Sequence, residues 1–221
     1  MSTTNSKFVV GVIGTQNTGK STFIKDLLER LKGTPMEFKT VGCDYREKIR
    51  QAGLKINRDG NLECQKIIFD TLVEQLDVID GMPSGNYITD RSPMDAYVYT
   101  EYLFRHRPEL GIRQSDMDEM FDRLQQNMDR YDRIVFLDLD KCANVEVVDD
   151  KFRDTNLEYR KEIDQIFKEV IGRLGTAYLW GKLSTDIQGT RENRVERFLE
   201  MESGSFIVEN GVESSVKWGA T

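Results

Sequence analysis

The segment Gly14-Thr15-Gln16-Asn17-Thr18-Gly19-Lys20-Ser21 fits the spacing G-x-x-x-x-G-K-[ST] at every fixed position. That spacing serves phosphate chemistry. Glycines let successive backbone N–H groups turn inward and form a nest for phosphate oxygens at the positive end of a helix. On this pattern Gly14, Asn17, Thr18, Gly19, Lys20, Ser21 and Thr22 hold the phosphates of ATP; Lys20 reaches the β- and γ-phosphates and the Ser21 hydroxyl ligates Mg²⁺. The plain alternative is a tight strand-to-helix turn with a chance lysine.

Further along, Asp44-Tyr45-Arg46 and Asp90-Arg91-Ser92-Pro93 each follow a short segment that reads as a strand, Phe38–Val41 and Tyr87–Thr89. Residues just past the C-terminal end of a parallel strand face the ligand crevice, so these groups are candidates for the acceptor side of a phosphoryl transfer. Asp90 suits the Mg²⁺ shell or the orientation of an acceptor, and Arg91 suits a planar fork on a phosphate. The bland readings are an ordinary helix start at Asp44 and an Asp–Arg pair that only caps a helix. Gln65 falls on an apolar helical stripe, where its amide needs partners; a nucleobase edge or nearby backbone would serve. Arg153 and Arg160 are candidates to close over the triphosphate, with a local salt bridge of Arg160 to Glu158 or Asp164 as the alternative.

These side chains need elements to carry them. Phe8–Ile13 reads as a buried strand, and Phe23, Leu27, Leu28 and Leu31 mark a helix behind the glycine loop. Strands follow at 38–41 and 87–89, with a fourth at 134–137. Helices are expected from Gly42 to about Ala52, over 62–76, 94–104 and 115–130, and from Thr155 or Asn156 onward, where Thr155 and Glu158 would form a capping box. Ala177–Leu183 reads as the last core strand, 184–190 as a loop at an adenine site, and 191–201 as a closing helix. Asp149–Asp154 reads as a loop. Asn210-Gly211 between apolar runs predicts a hairpin. The domain expectation is therefore residues 1–203 as one nucleotide-binding unit and 204–221 as a C-terminal hairpin.

With 221 residues, 38% hydrophobic and 31% charged, the chain suits one α/β domain. A net charge of -7 argues against a protein that grips nucleic acid mainly by charge. Cys43, Cys64 and Cys142 have no metal-ligand spacing and read as reduced thiols in a cytoplasmic setting. No run approaches membrane-spanning length, so no membrane partner is expected. Arg105, Arg107 and Arg113 form a small basic cluster around His106 that reads mainly as solvated surface.

On the phosphate loop, Asp44-x-Arg46, Gln65, Asp90-Arg91-Ser92, and Arg153 with Arg160, the chain over residues 7–200 resembles the P-loop nucleoside and nucleotide kinases. It is most similar in pattern to the small thymidylate-kinase and deoxynucleoside-kinase types of bacteriophages and to the ATPase–kinase domain of NadR-like proteins. The resemblance implies five parallel strands with helices on both faces and transfer of the ATP γ-phosphate to a nucleoside or nucleotide acceptor. It also implies that Asp44 accepts the acceptor hydroxyl's proton, that Arg46 and Arg91 hold the acceptor, and that Gln65 reads the base. Those kinases often carry Glu where this chain has Asp44.

Two other functions fit the same chemistry. One is a kinase of a base hydroxymethyl group within DNA, resembling the 5-hydroxymethyluridine DNA kinases, for which the basic cluster and the hairpin leave room. The other is a nucleotide-dependent switch without a small-molecule acceptor. Packing or a homodimer contact is the default role for the hairpin.

Overall fold

The structure is a computed structural model and describes residues 6–141, 156–179, 181–185, 187 and 190–202. Arg153, Cys142, the 149–154 loop and the expected hairpin lie outside the described residues.

Five strands, β1 (Lys7–Ile13), β2 (Phe38–Thr40), β3 (Gly85–Asp90), β4 (Arg133–Phe136) and β5 (Leu183–Ser184), form one sheet in the order β2-β3-β1-β4-β5. Every pairing is parallel. Each return therefore needs a crossover, and helices supply them: α1 (Lys20–Leu31), α2 (Tyr45–Gln51), α3 (Leu62–Gly81), α4 (Pro93–His106), α5 (Gln114–Met128), α6 (Leu157–Leu179) and α7 (Arg191–Glu202).

Strand β1 shows why the sheet is covered on both faces. Its side chains alternate: Phe8, Val10 and Val12 pack with α1 residues Phe23, Leu27 and Leu31 and α7 residue Phe198, whereas Val9 and Ile13 pack with the core of α3, α4, α5 and α6. Gly11 sits on the second face because Tyr131 lies there; a Cβ at Gly11 would meet Tyr131 Cε1 at 2.9 Å.

Local signals set the helix starts. The Asn61 side chain accepts from Cys64 N at the head of α3. At α4, Ser92 and Asp95 form a reciprocal capping box with Pro93 in the first turn. At α6 the Asn156 side chain accepts from Tyr159 N at 2.9 Å, and the expected cap Thr155 lies outside the described residues.

The last strand differs from expectation. Ala177–Leu179 continue α6 past a non-helical Gly175 (φ 51), and β5 is only Leu183–Ser184. Leu179 is buried in the same cluster as α6 residues Phe167, Val170 and Leu174, so the apolar run belongs to a helix face.

Candidate active site

The phosphate loop connects β1 to α1 at the C-terminal edge of the sheet, where β1 lies between β3 and β4. Its backbone takes positive φ at Gly14 (137), Asn17 (58) and Gly19 (88), the conformations a nest requires. At Gly14 both constraints apply: besides its φ, a Cβ would meet Leu137 O at 2.7 Å. Thr18 Oγ1 donates to Thr15 O at 2.9 Å and pins the turn. Lys20, 6% exposed, lays its ammonium across the loop, donating to Gly14 O at 2.6 Å and Thr15 O at 2.7 Å.

Beside the loop, Ser21 Oγ donates to Asp90 Oδ2 at 2.7 Å. The parallel register that sets Val12 opposite Asp90 brings these groups together from 69 residues apart in sequence. A hydroxyl and a carboxylate oxygen at the foot of a phosphate nest are hard donors that fit Mg²⁺.

A cavity of about 390 Å³ opens from this point. Gln16, Asn17, Gly19, Lys20, Ser21 and Thr22 form one end; Arg46, Gln65, Asp90 and Arg91 line its walls with Cys43, Tyr45, Asn57, Asp95 and Tyr99. The structure thus gathers most of the sequence-predicted groups. Asp44 is placed differently: it is exposed at the N-cap of α2, between the lining residues Cys43 and Tyr45, and is not itself part of the wall. Gly14 and Thr18 shape the loop from behind. Arg160 is buried and faces the outside of the loop, donating from Nε to Gln16 O at 3.1 Å and from Nη2 to Asn17 O at 3.2 Å. Asp164, its alternative partner, takes Lys168 instead at 2.9 Å.

Arg91 is the most constrained group of the wall. Its φ of 89 is a left-handed conformation that costs a non-glycine residue about 1–3 kcal/mol. Arg91 N bonds Val12 O at 3.0 Å and Thr89 Oγ1 bonds Arg91 O at 2.9 Å, which hold the strained turn. Its guanidinium lies about 6.0 Å from the ring centroids of both Tyr45 and Tyr99 and bonds Asp95 Oδ1 at 3.1 Å. Among the described residues the non-glycine positions with positive φ are Asn17, Asn57 and Arg91, and all three line the cavity.

Asp95 was not among the sequence candidates. It is 1% exposed, and burial pushes its carboxyl up to about 6 against the opposing pull of Arg91 and Lys20. Around Arg91, burial disfavours the cation, but Tyr45, Asp95, Tyr99 and Asp90 outweigh it and hold the guanidinium charged. The signal for Asp95 was present as S-x-x-D, Ser92 to Asp95, at a helix start. Asn57 and the two tyrosines carried no such signal.

Gln65 is 1% exposed, and its Oε1 has no hydrogen-bond partner among the described residues. The same holds for Gln16 Nε2 at the loop end of the cavity. Buried amide atoms of this kind fit a ligand that brings donors and acceptors.

Two other clusters resolve as structural. Asp138, Asp140 and Asp164 converge closely enough to hold a cation, and the Lys168 ammonium already sits among them at 3.1, 3.0 and 2.9 Å. In the basic cluster, Arg105 pairs with Glu101 and Glu169, Arg107 with Glu109, Arg113 with Asp116 and His106 with Glu162.

A parallel sheet of this order, with the phosphate loop after β1 and an Asp-Arg turn after β3, defines a P-loop fold of the nucleoside/nucleotide kinase-like class. The chain belongs to the AAA domain family, whose model matches residues 9–188.

Among solved structures, thymidylate kinase from Candida albicans is similar at TM-score 0.66 and 16% identity, over 90% of this chain and 92% of that one. Deoxyadenosine kinase from M. mycoides, with dCMP and a flexible dCDP, is similar at TM-score 0.61 and 14% identity, over 89% and 100%. NadR protein in complex with NAD and AMP-PNP is similar at TM-score 0.60 and 16% identity, over 90% of this chain and 50% of that one. The chain therefore spans about half the length of NadR. At these identities the likeness establishes the fold. No curated protein matches the sequence.

Proposed function

We propose that the protein is an ATP-dependent phosphotransferase that passes the γ-phosphate to a (deoxy)nucleoside or a (deoxy)nucleoside monophosphate. The observation that carries this reading is one continuous cavity joining the phosphate loop to Gln65, whose buried Oε1 has no partner among the described residues. A switch has no need of an acceptor chamber beyond its phosphates.

In this reading the loop amides and Lys20 bind and align the triphosphate, and Ser21 with Asp90 holds Mg²⁺, which would neutralise charge on the phosphates when bound. Arg91, fixed by Asp95, faces the point where the transferred group meets the acceptor. Arg46, which lines the same wall, holds the acceptor, and Gln65 meets its base edge. Asp44 at the rim accepts a hydroxyl proton if the acceptor is a nucleoside; a nucleotide acceptor is already ionised and needs no base. Arg160 holds the loop from outside, and Arg153, outside the described residues, keeps its proposed role of closing over the triphosphate. The dCMP and dCDP of the deoxyadenosine kinase structure and the AMP-PNP of the NadR structure support a nucleotide at both ends of such a cavity.

The test is turnover of labelled ATP against a panel of nucleosides, nucleoside monophosphates and hydroxymethylated DNA. One nucleoside or nucleotide is expected to be phosphorylated, and Lys20→Ala to abolish that activity. Hydrolysis of ATP indifferent to every acceptor would defeat the assignment. With the acceptor known, Asp44→Asn lowers the single-turnover rate strongly for a hydroxyl acceptor and little for a phosphate.

A further inference from the structure

Three consecutive peptide units of the phosphate loop have their carbonyl oxygens taken by arginines from outside. Arg160 of α6 binds the oxygens of Gln16 and Asn17, and Arg194 of α7 donates from Nη1 to Thr18 O at 2.9 Å. A trans peptide is planar, so its C=O and N–H point in opposite directions. The N–H groups on the far side of these units belong to Asn17, Thr18 and Gly19, which sit in the run of the motif that cradles phosphate.

Arg194 is unusual among these contacts. It is 4% exposed, its Nε and Nη2 have no hydrogen-bond partner, and it forms no ion pair among the described residues. Other arginines at the α1–α7 contact meet carboxylates: Arg191 pairs with Asp26 at 2.6 Å and Arg30 with Glu196 at 3.0 Å. A buried cation with no counter-charge weighs against folding, and the direct remedy is an anion nearby.

We propose that Arg194 is a positioning residue for the nucleotide, its buried charge acting through the Thr18–Gly19 peptide and answered by the phosphate chain on the loop's inner face. This rests on the triphosphate reading of the site and adds a consequence to it. Arg194 favours a ligand in proportion to its phosphate charge, and it strains the ligand-free protein. Removing the charge therefore moves affinity and free-protein stability in opposite directions, which a residue that merely packs cannot do.

The experiment titrates ATP, ADP and AMP into the full chain by calorimetry, for the wild type, Arg194→Gln and Arg194→Lys, with urea unfolding of each ligand-free protein. The glutamine amide can still donate to Thr18 O but carries no charge. Arg194→Gln is expected to lose about tenfold or more in ATP affinity, progressively less for ADP and AMP, with a higher urea midpoint; Arg194→Lys stays within about threefold of wild type for ATP. Equal losses for ATP and AMP, unchanged ATP affinity, or an Arg194→Gln chain that fails to fold without nucleotide would each overturn the proposal. If the wild type has no affinity for ATP, the site reading itself falls. If the wild type binds ATP and Arg194→Gln binds it equally well, only the role of Arg194 falls.

Discussion

Asp95 answers to two demands at once. Its Oδ2 accepts from Ser92 N at 3.0 Å to cap α4, and its Oδ1 holds Arg91 at 3.1 Å. Burial raises its carboxyl from 3.8 to about 6, so the folded state binds a proton there that the unfolded chain has released. Its contribution to stability is complete below pH 3.8 and lost as pH rises through about 6, a difference of about 3 kcal/mol. Asp95→Asn should flatten that part of the stability profile, read as the difference between wild-type and variant urea midpoints from pH 4 to 7. Activity should move the other way, because only the ionised carboxylate pairs fully with Arg91. The expected kcat of Asp95→Asn is at least about tenfold below wild type, in line with the 2–5 kcal/mol cost of leaving a buried charge without its partner. A second prediction concerns the Ser21–Asp90 pair. Asp90→Asn keeps a hydrogen-bond partner for Ser21 but loses the charge, so the Mg²⁺ concentration for half-maximal activity should rise roughly tenfold or more while binding of metal-free ATP changes little. An unchanged Mg²⁺ requirement would remove Asp90 from the metal shell.

The turn between β3 and α4 shows how an element converts sequence into geometry. Ser92 accepts from Met94 N at 3.2 Å, and the box it forms with Asp95 sets the direction of the helix that carries Tyr99 to the cavity. Ser92→Ala should destabilise the protein by about 1 kcal/mol, and because the same box orients Asp95, Arg91-dependent turnover should fall with it. A loss of stability with unchanged kcat would separate the cap from the site. Legibility in the sequence followed a physical divide. The phosphate loop, Asp90-Arg91 and the helices from α1 to α5 were readable because motif spacing and 3.6-residue periodicity are local. Ala177–Leu183 was misread because a short apolar run looks the same on a buried helix as on a strand; only packing of Leu179 beside Phe167 and Leu174 decides it. Gln65 was legible as an amide on an apolar stripe. The grip of Arg194 on Thr18 O joins groups 176 residues apart, and the Arg160 contact to Gln16 O joins groups 144 apart, so no local pattern announces them.

At the scale of the whole molecule, the phosphate loop is where separately packed layers meet. It leaves β1 for α1, is held from outside by α6 and α7, and faces β3 through Ser21 and Asp90. Two cores flank the sheet, one built with α1 and α7 and the other with α3 to α6, so an anion seated in the loop ties both to the same ligand. No helix among the described residues is long and apolar enough to cross a membrane. With net charge -7 and Arg105, Arg107 and Arg113 each satisfied by a carboxylate, duplex DNA should bind weakly, without the steep salt dependence of a phosphate-gripping surface. Nucleotide should instead act as a global stabiliser. A ligand that binds only the folded state at a hundred times its Kd adds about 2.7 kcal/mol, enough to raise the unfolding temperature of a chain this size by several degrees. ATP with Mg²⁺ should produce that rise in a single cooperative transition, because the loop belongs to both cores. Lys20→Ala should cancel most of it without lowering the transition of the ligand-free protein by a comparable amount, since the Gly14 and Thr15 carbonyls that its ammonium bonds can be served by water or neighbouring amides. Two separate transitions in scanning calorimetry, one sensitive to ATP and one not, would show that the loop does not couple the layers.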